Sequence, residues 1–331
     1  MALRGLLLWE PQNDRITERT RQMTESPLVS ILINNYNYGR FLAHAIGSAL
    51  AQTYSNIEVI VVDDGSTDNS QEIVTSYGSR IRAVMKENGG QSSAFNAGFA
   101  ASNGDIICFL DSDDVFLPEK VRRVVEIFSG NPEIGWCFDR PVHFADDTGT
   151  RFSWTANTQE GCIDARGTVA GGHAPYVFTS TSGISFRRDT LGCILPMPEL
   201  LRIKSGISSD NYLKFAAYSL AKGWLAGEQL TLQRIHPNNA YTRRVAGKSR
   251  VVGASDILLG MCLHQEFRML HHLGTKIFAH GLGKLWATGG LEREYREIAR
   301  SFLKTLNMQL KLEAIARAIW WGTVEKLRPQ P

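Results

Sequence analysis

At 331 residues, with 43% hydrophobic and 21% charged side chains, the chain is long enough for one large domain or two sharing a core, and too apolar for disorder. A formal net charge of +3 argues against a dedicated nucleic-acid binder. Five scattered cysteines without a CxxC pair, no apolar run near the roughly 18 residues that span a bilayer, and a Leu6-Leu7-Leu8-Trp9 run broken at once by Glu10 and Pro11 predict a cytoplasmic protein with reduced thiols.

Residues 1–27 read as a polar, arginine-bearing extension. From Leu28 the texture changes. Leu28 to Ile33 is an apolar run of strand length ending in Asn34-Asn35-Tyr36-Asn37, and a helical pattern follows from Arg40 to Thr53. Ile57 to Val62 is a second strand, ending in Asp63-Asp64-Gly65-Ser66-Thr67-Asp68, where Ser66 or Thr67 suits a helix cap. Ile81 to Met85, Gln91 to Ala101 and Asp105 to Leu110 continue the alternation as strand, helix and strand. Pro118 suits the first turn of a helix whose stripe is Val121, Val124, Val125 and Phe128. Continuous apolar strands alternating with helices predict an α/β fold, a Rossmann-like and mostly parallel sheet covered on both faces. Ligands of such sheets bind beyond the carboxyl ends of the strands, where the Asn34, Asp63-Asp64 and Asp111 groups all fall. Residues 28–140 are the expected ligand-binding half of the sheet and 141–250 the second half, with a helix over Asp210 to Ala221 and a strand over Leu230 to Ile235. Residues 251–331 form a C-terminal helical region.

Asp111-Ser112-Asp113-Asp114 crowds three carboxylates directly after an apolar strand. Such charges repel unless a cation or hydrogen-bond donors neutralise them, and Mg2+ or Mn2+ favours these oxygens together with those of a diphosphate. The same residues suit a plain acidic turn before the Pro118 helix. Asp63-Asp64 is equally double: a carboxylate for a base or ribose, or a turn rich in capping residues. No GxGxxG follows the first strand and no GxxxxGK[ST] occurs, which disfavours an NAD enzyme or a P-loop kinase.

The blocks Val29–Ile33 with Tyr36-Asn37, Ser48–Tyr54, Glu58–Asp68, Asn88-Gly89-Gly90 with Asn96-Ala97-Gly98, and Gly104-Asp105 leading to Leu110–Asp114 follow one another over about ninety residues. In order and spacing they resemble the donor-binding half of the family 2 glycosyltransferases, which have the GT-A fold. The resemblance implies an inverting enzyme that uses Mn2+ or Mg2+. Its donor would be a nucleotide-diphosphate sugar, foremost a UDP-sugar, and its acceptor a saccharide or lipid-linked hydroxyl in polysaccharide, glycolipid or other glycoconjugate synthesis. It places Asn34 and Tyr36 at the nucleotide, Tyr36 stacking on the base, and pairs Asp64 with that base. Asp111 falls near the ribose with Ser112 beside it, Asp113 on the metal, and Asp114 in support. Asn96 is expected at the donor, and Phe95 stands where many relatives carry a basic residue.

In the second half, Ser180 to Arg188 resembles the small-residue strand lining the family's acceptor site. Ser209-Asp210 resembles its Glu-Asp pair, with Asp210 as the general base and Ser209 in place of the usual Glu. Arg234-Ile235-His236 resembles an Arg-x-His segment, with His236 as a further metal ligand and Arg234 neutralising the diphosphate. The basic residues Arg243, Arg244, Lys248 and Arg250 suit either a closing loop or a solvated surface. Met308, Leu312, Ile315, Ala316, Ile319 and Trp320 form a stripe that reads first as a packing face on the core or a second subunit. The other reading is peripheral docking at the inner face of a membrane, which would suit a lipid-linked acceptor. Two rival functions remain at this level: a nucleotidyltransferase, and a non-catalytic nucleotide-sugar-binding protein.

Overall fold

The apolar runs become strands wherever both neighbours are also apolar. In chain order the first half contains β1 (Val29–Asn35), α1 (Gly39–Leu50), β2 (Ile57–Asp63), α2 (Ser70–Ser76), β3 (Arg82–Met85), α3 (Gly90–Ala101) and β4 (Ile106–Asp111). It continues through β5 (Val115–Phe116), α4 (Lys120–Gly130) and β6 (Ile134–Phe138). Then follow β7 (Pro141–Ala145), β8 (Arg151–Phe152), β9 (Gly161–Ile163), α5 (Arg166–Ala170), β10 (Ile184–Arg187), α6 (Arg188–Gly192), α7 (Ser209–Leu220), β11 (Lys222–Leu225) and β12 (Thr231–Ile235). Four helices close the chain: α8 (Lys248–Glu266), α9 (His271–Ala287), α10 (Arg293–Thr305) and α11 (Met308–Leu327). The structure is a computed structural model that describes residues 24–145, 151–152, 160–175, 177, 179–199, 208–236, 239 and 248–327. The expected extension before residue 24 and the basic residues Arg243 and Arg244 lie outside that range.

The main sheet has eight strands in the order β3-β2-β1-β4-β10-β6-β11-β9. Its first four are parallel, as expected, while β10 runs antiparallel to both β4 and β6. Strands from both expected halves therefore share one sheet. A second sheet, β5-β12-β7-β8, carries the turn after β4 and the segment that ends at Ile235.

Successive residues of each central strand serve opposite cores. Ile31, Ile33, Val59, Val61, Cys108 and Leu110 pack with Leu42 and Ile46 of α1 and with Val121, Val124 and Phe128 of α4. Leu32, Ile60, Val62, Ile107 and Phe109 face the other way, onto Ala94 and Phe95 of α3 and a core continuous with Leu258, Phe278 and Phe302 of the C-terminal helices. Each such side chain contributes about 1.5–3 kcal/mol when fully buried, so the two-sided apolar run decides the central strands. Phe95, at 1% exposure against the Phe109 ring, faces this core rather than the strand ends.

The C-terminal helices interlock at glycines. A Cβ on Gly274 of α9 would lie 2.6 Å from the Gly260 carbonyl of α8, and one on Gly281 2.5 Å from the Gly253 carbonyl. The α11 stripe differs from its first reading: Met308, Leu312, Ile315, Ile319 and Trp320 are exposed, and the inward side is instead Ala314 and Gly322. Among the described residues no helix is long and apolar enough to cross a membrane.

Two outcomes follow from this packing. Gly274→Ala should lower the unfolding free energy in a denaturant titration by about 1–3 kcal/mol, because its methyl meets backbone. Gly47→Ala, open within 4 Å on α1, should cost nothing. The second concerns Glu266, which accepts from the Tyr212 hydroxyl and whose carboxyl burial pushes up from 4.5 to about 7. The folded chain holds this proton where the unfolded chain has lost it, so Tm should fall as pH rises from 4.5 through about 7. Glu266→Gln should flatten that part of the pH profile.

Candidate active site

Parallel register brings the strand-end polar groups together. Asn34 sits beside Asp111 of β4, and Asn35 beside Asp63 of β2. Adjacent residues of β1 thus serve acids on two flanking strands. Asn35 Nδ2 donates to Asp63 (2.8 Å), whose other oxygen accepts the Ser66 amide (3.1 Å), so Asp63 shapes its own turn. Asp64 is 3% exposed and accepts the amides of Gly89 (2.8 Å) and Gly90 (2.7 Å) and the Lys86 ammonium (2.6 Å). A carboxylate at the N-terminus of α3 also meets the positive end of the helix dipole. Asp64 therefore orders the Gly89-Gly90 corner beside the site.

Carboxylate oxygens of Asp111, Asp113 and Asp114 lie within 4.8 Å of one another. Burial, then the Asp113 charge, pushes the Asp111 carboxyl up to about 7, against hydrogen bonding from Asn34. Burial and the same neighbouring charges push Asp114 well up too. Donors relieve part of this. Asn34 Nδ2 (3.0 Å) and Gln91 Nε2 (3.3 Å) donate to Asp111. The Ser182 hydroxyl accepts the Asp111 amide (3.0 Å) and donates to Asp114 (2.6 Å), whose other oxygen accepts the Arg234 amide (2.9 Å). Ser112 is buried between the acids.

Asp113 Oδ2 faces His236 Nε2 (3.1 Å) and accepts from Asn239 Nδ2 (3.3 Å). The opposite imidazole nitrogen of His236 faces Arg40 Nη2 at 3.2 Å. A guanidinium only donates, so this network assigns the imidazole proton to Nε2, directed at Asp113. His236 is thus placed against a carboxylate of the group, as a donor to it. Arg234 is 6% exposed; its guanidinium lies 4.6 Å from the centres of both the Phe41 and Phe144 rings and donates through Nε to the Asp113 carbonyl (2.9 Å). It braces the acidic turn. Tyr36 is 47% exposed at the edge of the group. Tyr38 stands edge-on to the His236 ring at 5.5 Å, and burial together with Asp113 and Asp111 pushes its hydroxyl up to about 12.

Asp210, in the first turn of α7, is near enough to this cluster for its charge to help raise Asp111. Burial works to raise the Asp210 carboxyl, but Lys214 Nζ (3.0 Å) and the Ser208 hydroxyl (2.8 Å) hold it below the ordinary carboxylate value. The Ser209 hydroxyl pairs with that of Ser92 on α3 (3.1 Å), tying the helix that bears Asp210 to the donor-side half. Asn96 is not brought to this group. Its amide donates to the Met197 carbonyl and the Glu199 carboxylate and accepts the Met197 amide, each at 2.9 Å.

Sequence reasoning missed Tyr38, Arg40, Phe41, Lys214 and Asn239. Tyr38-Gly39-Arg40-Phe41 follows the Asn34–Asn37 block at once, and that adjacency was the available signal. The donor set is all oxygen and crowded with negative charge, and Asn34 Oδ1 is buried without a hydrogen-bond partner. Such a set fits a hard divalent cation such as Mn2+ or Mg2+, held by Asp111, Asp113 and Asp114.

Comparison with known proteins agrees with this arrangement. Residues 30–193 match the family described as Glycosyl transferase family 2. The chain is 35% identical over 229 residues to an uncharacterized glycosyltransferase of Nostoc sp., covering 67% of this chain and 69% of that one. It is 47% identical over 109 residues to an uncharacterized glycosyltransferase of Rickettsia typhi, there covering 33% of this chain and 34% of the relative. Among solved structures, S. aureus TarS in complex with UDP-GlcNAc superposes with a TM-score of 0.62 at 15% identity, covering 90% of each chain. The fold is therefore GT-A, a mostly parallel sheet with acidic groups at the carboxyl ends of its central strands. The chain belongs to glycosyl transferase family 2 and is a glycosyltransferase.

If the three carboxylates take a cation, Mn2+ should raise the Tm of the wild type and leave that of Asp113→Ala unchanged in a thermal-shift titration. An equal shift in the variant would place the ion elsewhere.

Proposed function

We propose that this enzyme transfers a sugar from a nucleoside-diphosphate donor, with UDP the leading nucleotide, to a hydroxyl of a saccharide or lipid-linked acceptor, with inversion at the anomeric carbon. The observation that carries this reading is the Asp210 carboxylate, close enough to the Asp111–Asp114 cluster for its charge to act on Asp111, on a helix tethered to the donor-side helix through Ser209 and Ser92. A single carboxylate held ionised near a cluster of three suits a base for the acceptor beside an anchor for the leaving group.

In the transfer, the acceptor oxygen forms a bond to the anomeric carbon as the bond from that carbon to the diphosphate oxygen breaks. The acceptor proton passes to Asp210, and the bonding electrons leave with the nucleoside diphosphate. Lys214 and Ser208 keep Asp210 ionised and fix its direction, at some cost in basicity. A divalent cation held by Asp111, Asp113 and Asp114 would offset the charge growing on the diphosphate. The His236 imidazole and the Asn239 amide orient Asp113 for that role, and Arg40 orients His236. Arg234 contributes through the turn it braces. Asn34 and the exposed ring of Tyr36 serve the nucleotide, with Asp64 holding the adjoining corner at the base.

The experiment is a comparison of Asp210→Asn with the wild type in donor hydrolysis and transfer, after thermal-shift screening of nucleotide sugars with Mn2+ has identified the donor. Loss of a general base should lower kcat by about 10²–10⁴-fold with the donor-induced thermal shift retained. Wild-type turnover by Asp210→Asn would remove the residue from the mechanism, and a wild type that binds donor without turnover would leave only a binding protein.

A further inference from the structure

Helix α11 presents its apolar side outward. Met308, Leu312, Ile315 and Ile319 recur at spacings of four, three and four residues and are 70, 60, 41 and 56% exposed, with Trp320 at 58% and Leu327 at 79%. Charged residues turn inward instead: Glu313 accepts from His272 Nε2 of α9 (3.0 Å) and from Arg317 Nε (2.6 Å). The inner contact is close, since a Cβ on Gly322 would overlap the Trp286 ring of α9. That contact fixes which side of the helix faces out. At 1.5 Å per residue the apolar side runs for about 30 Å, and monomeric proteins rarely leave such a patch to water.

The preceding helix carries a different stripe. Tyr295, Ile298, Ala299 and Phe302 of α10 are buried, while Arg293, Arg296, Arg300 and Lys304 are exposed at spacings of three, four and four. Arg293 pairs with Glu297 and Arg296 donates to the Leu291 carbonyl. Arg300 and Lys304 have no ion-pair partner among the described residues. Only Leu306 and Asn307 separate this helix from α11, so the basic stripe ends four residues before the apolar one begins. Residues 248–327 hold twelve Lys and Arg against seven Asp and Glu. At the far end of α11, Lys326 Nζ stands 3.9 Å over the ring of the exposed Trp286.

We propose that α10 and α11 dock the protein on an anionic lipid surface. The outward face of α11 lies among the headgroups and upper acyl chains, and the cations of α10 and Lys326 meet lipid phosphates. Charge selects this occupant. A second copy of the chain covers the apolar face but adds another set of the same cations, whereas an anionic bilayer satisfies both stripes at once. The inference stands apart from the transfer reaction, because none of these residues belongs to the site at the strand ends.

The test is co-sedimentation of the full chain with vesicles of phosphatidylcholine alone and of phosphatidylcholine mixed with phosphatidylglycerol, at low and high salt. The wild type should partition onto the mixed vesicles and weaken with salt. Ile315→Asp combined with Ile319→Asp should lower that partition by at least about tenfold with the Tm unchanged, both side chains being exposed. Arg300→Glu combined with Lys304→Glu should lower it by about tenfold or more on mixed vesicles only. A wild type that stays in the supernatant with both vesicle types overturns the proposal. So does a dimer in light scattering that the Ile315→Asp, Ile319→Asp variant breaks, since the face would then belong to a second copy.

Discussion

Repulsion among Asp111, Asp113 and Asp114 is the constraint around which the strand ends are built. Charges within 4.8 Å of one another oppose each other by on the order of 3 kcal/mol per pair at an effective dielectric near 20. Three kinds of relief are visible or implied. Protonation is one, seen in the raised carboxyls of Asp111 and Asp114. Hydrogen bonding is the second, and Asn34, Gln91, Ser182 and the Arg234 amide supply it from four separate elements. A cation is the third.

The same constraint explains the supporting residues. Asp113 is supported through a chain that runs from Arg40 through His236. The chain reaches across from α1 to the end of β12, so the placing of Asp113 depends on packing between segments almost two hundred residues apart. Arg234, wedged between two aromatic rings, holds the turn by its backbone amide and its Nε rather than by net charge. A guanidinium buried in this way is a structural brace first.

The parallel half of the sheet was legible in the sequence because its inner strands β1, β2 and β4 are apolar on both sides and each stops at a polar block. Asn34, Asp64 and the Asp111–Asp114 cluster could be placed for the same reason: a strand end is a defined location. The antiparallel strand β10 was not legible as part of that sheet. Ile184–Arg187 is four residues long, and its partners Cys108 and Cys137 are remote in sequence. Asn96 was expected at the donor through its motif, but side-chain direction on a helix depends on what packs against it, and the Met197 backbone faces its amide. The α11 stripe shows the converse. Its helical period was evident, yet periodicity reports only that two faces differ and leaves open which one turns to the protein.

The position of β10 has a consequence for how such enzymes diversify. This strand belongs to the second half of the chain, yet it is laid between β4 and β6 of the first, with Ser185 opposite both Cys108 and Cys137. Ser182, just before it, supplies the hydroxyl that joins Asp111 to Asp114. The two halves of the chain are therefore not separable cassettes. A chimera that exchanges the second half replaces the middle of the sheet and a fastening of the acidic cluster with it.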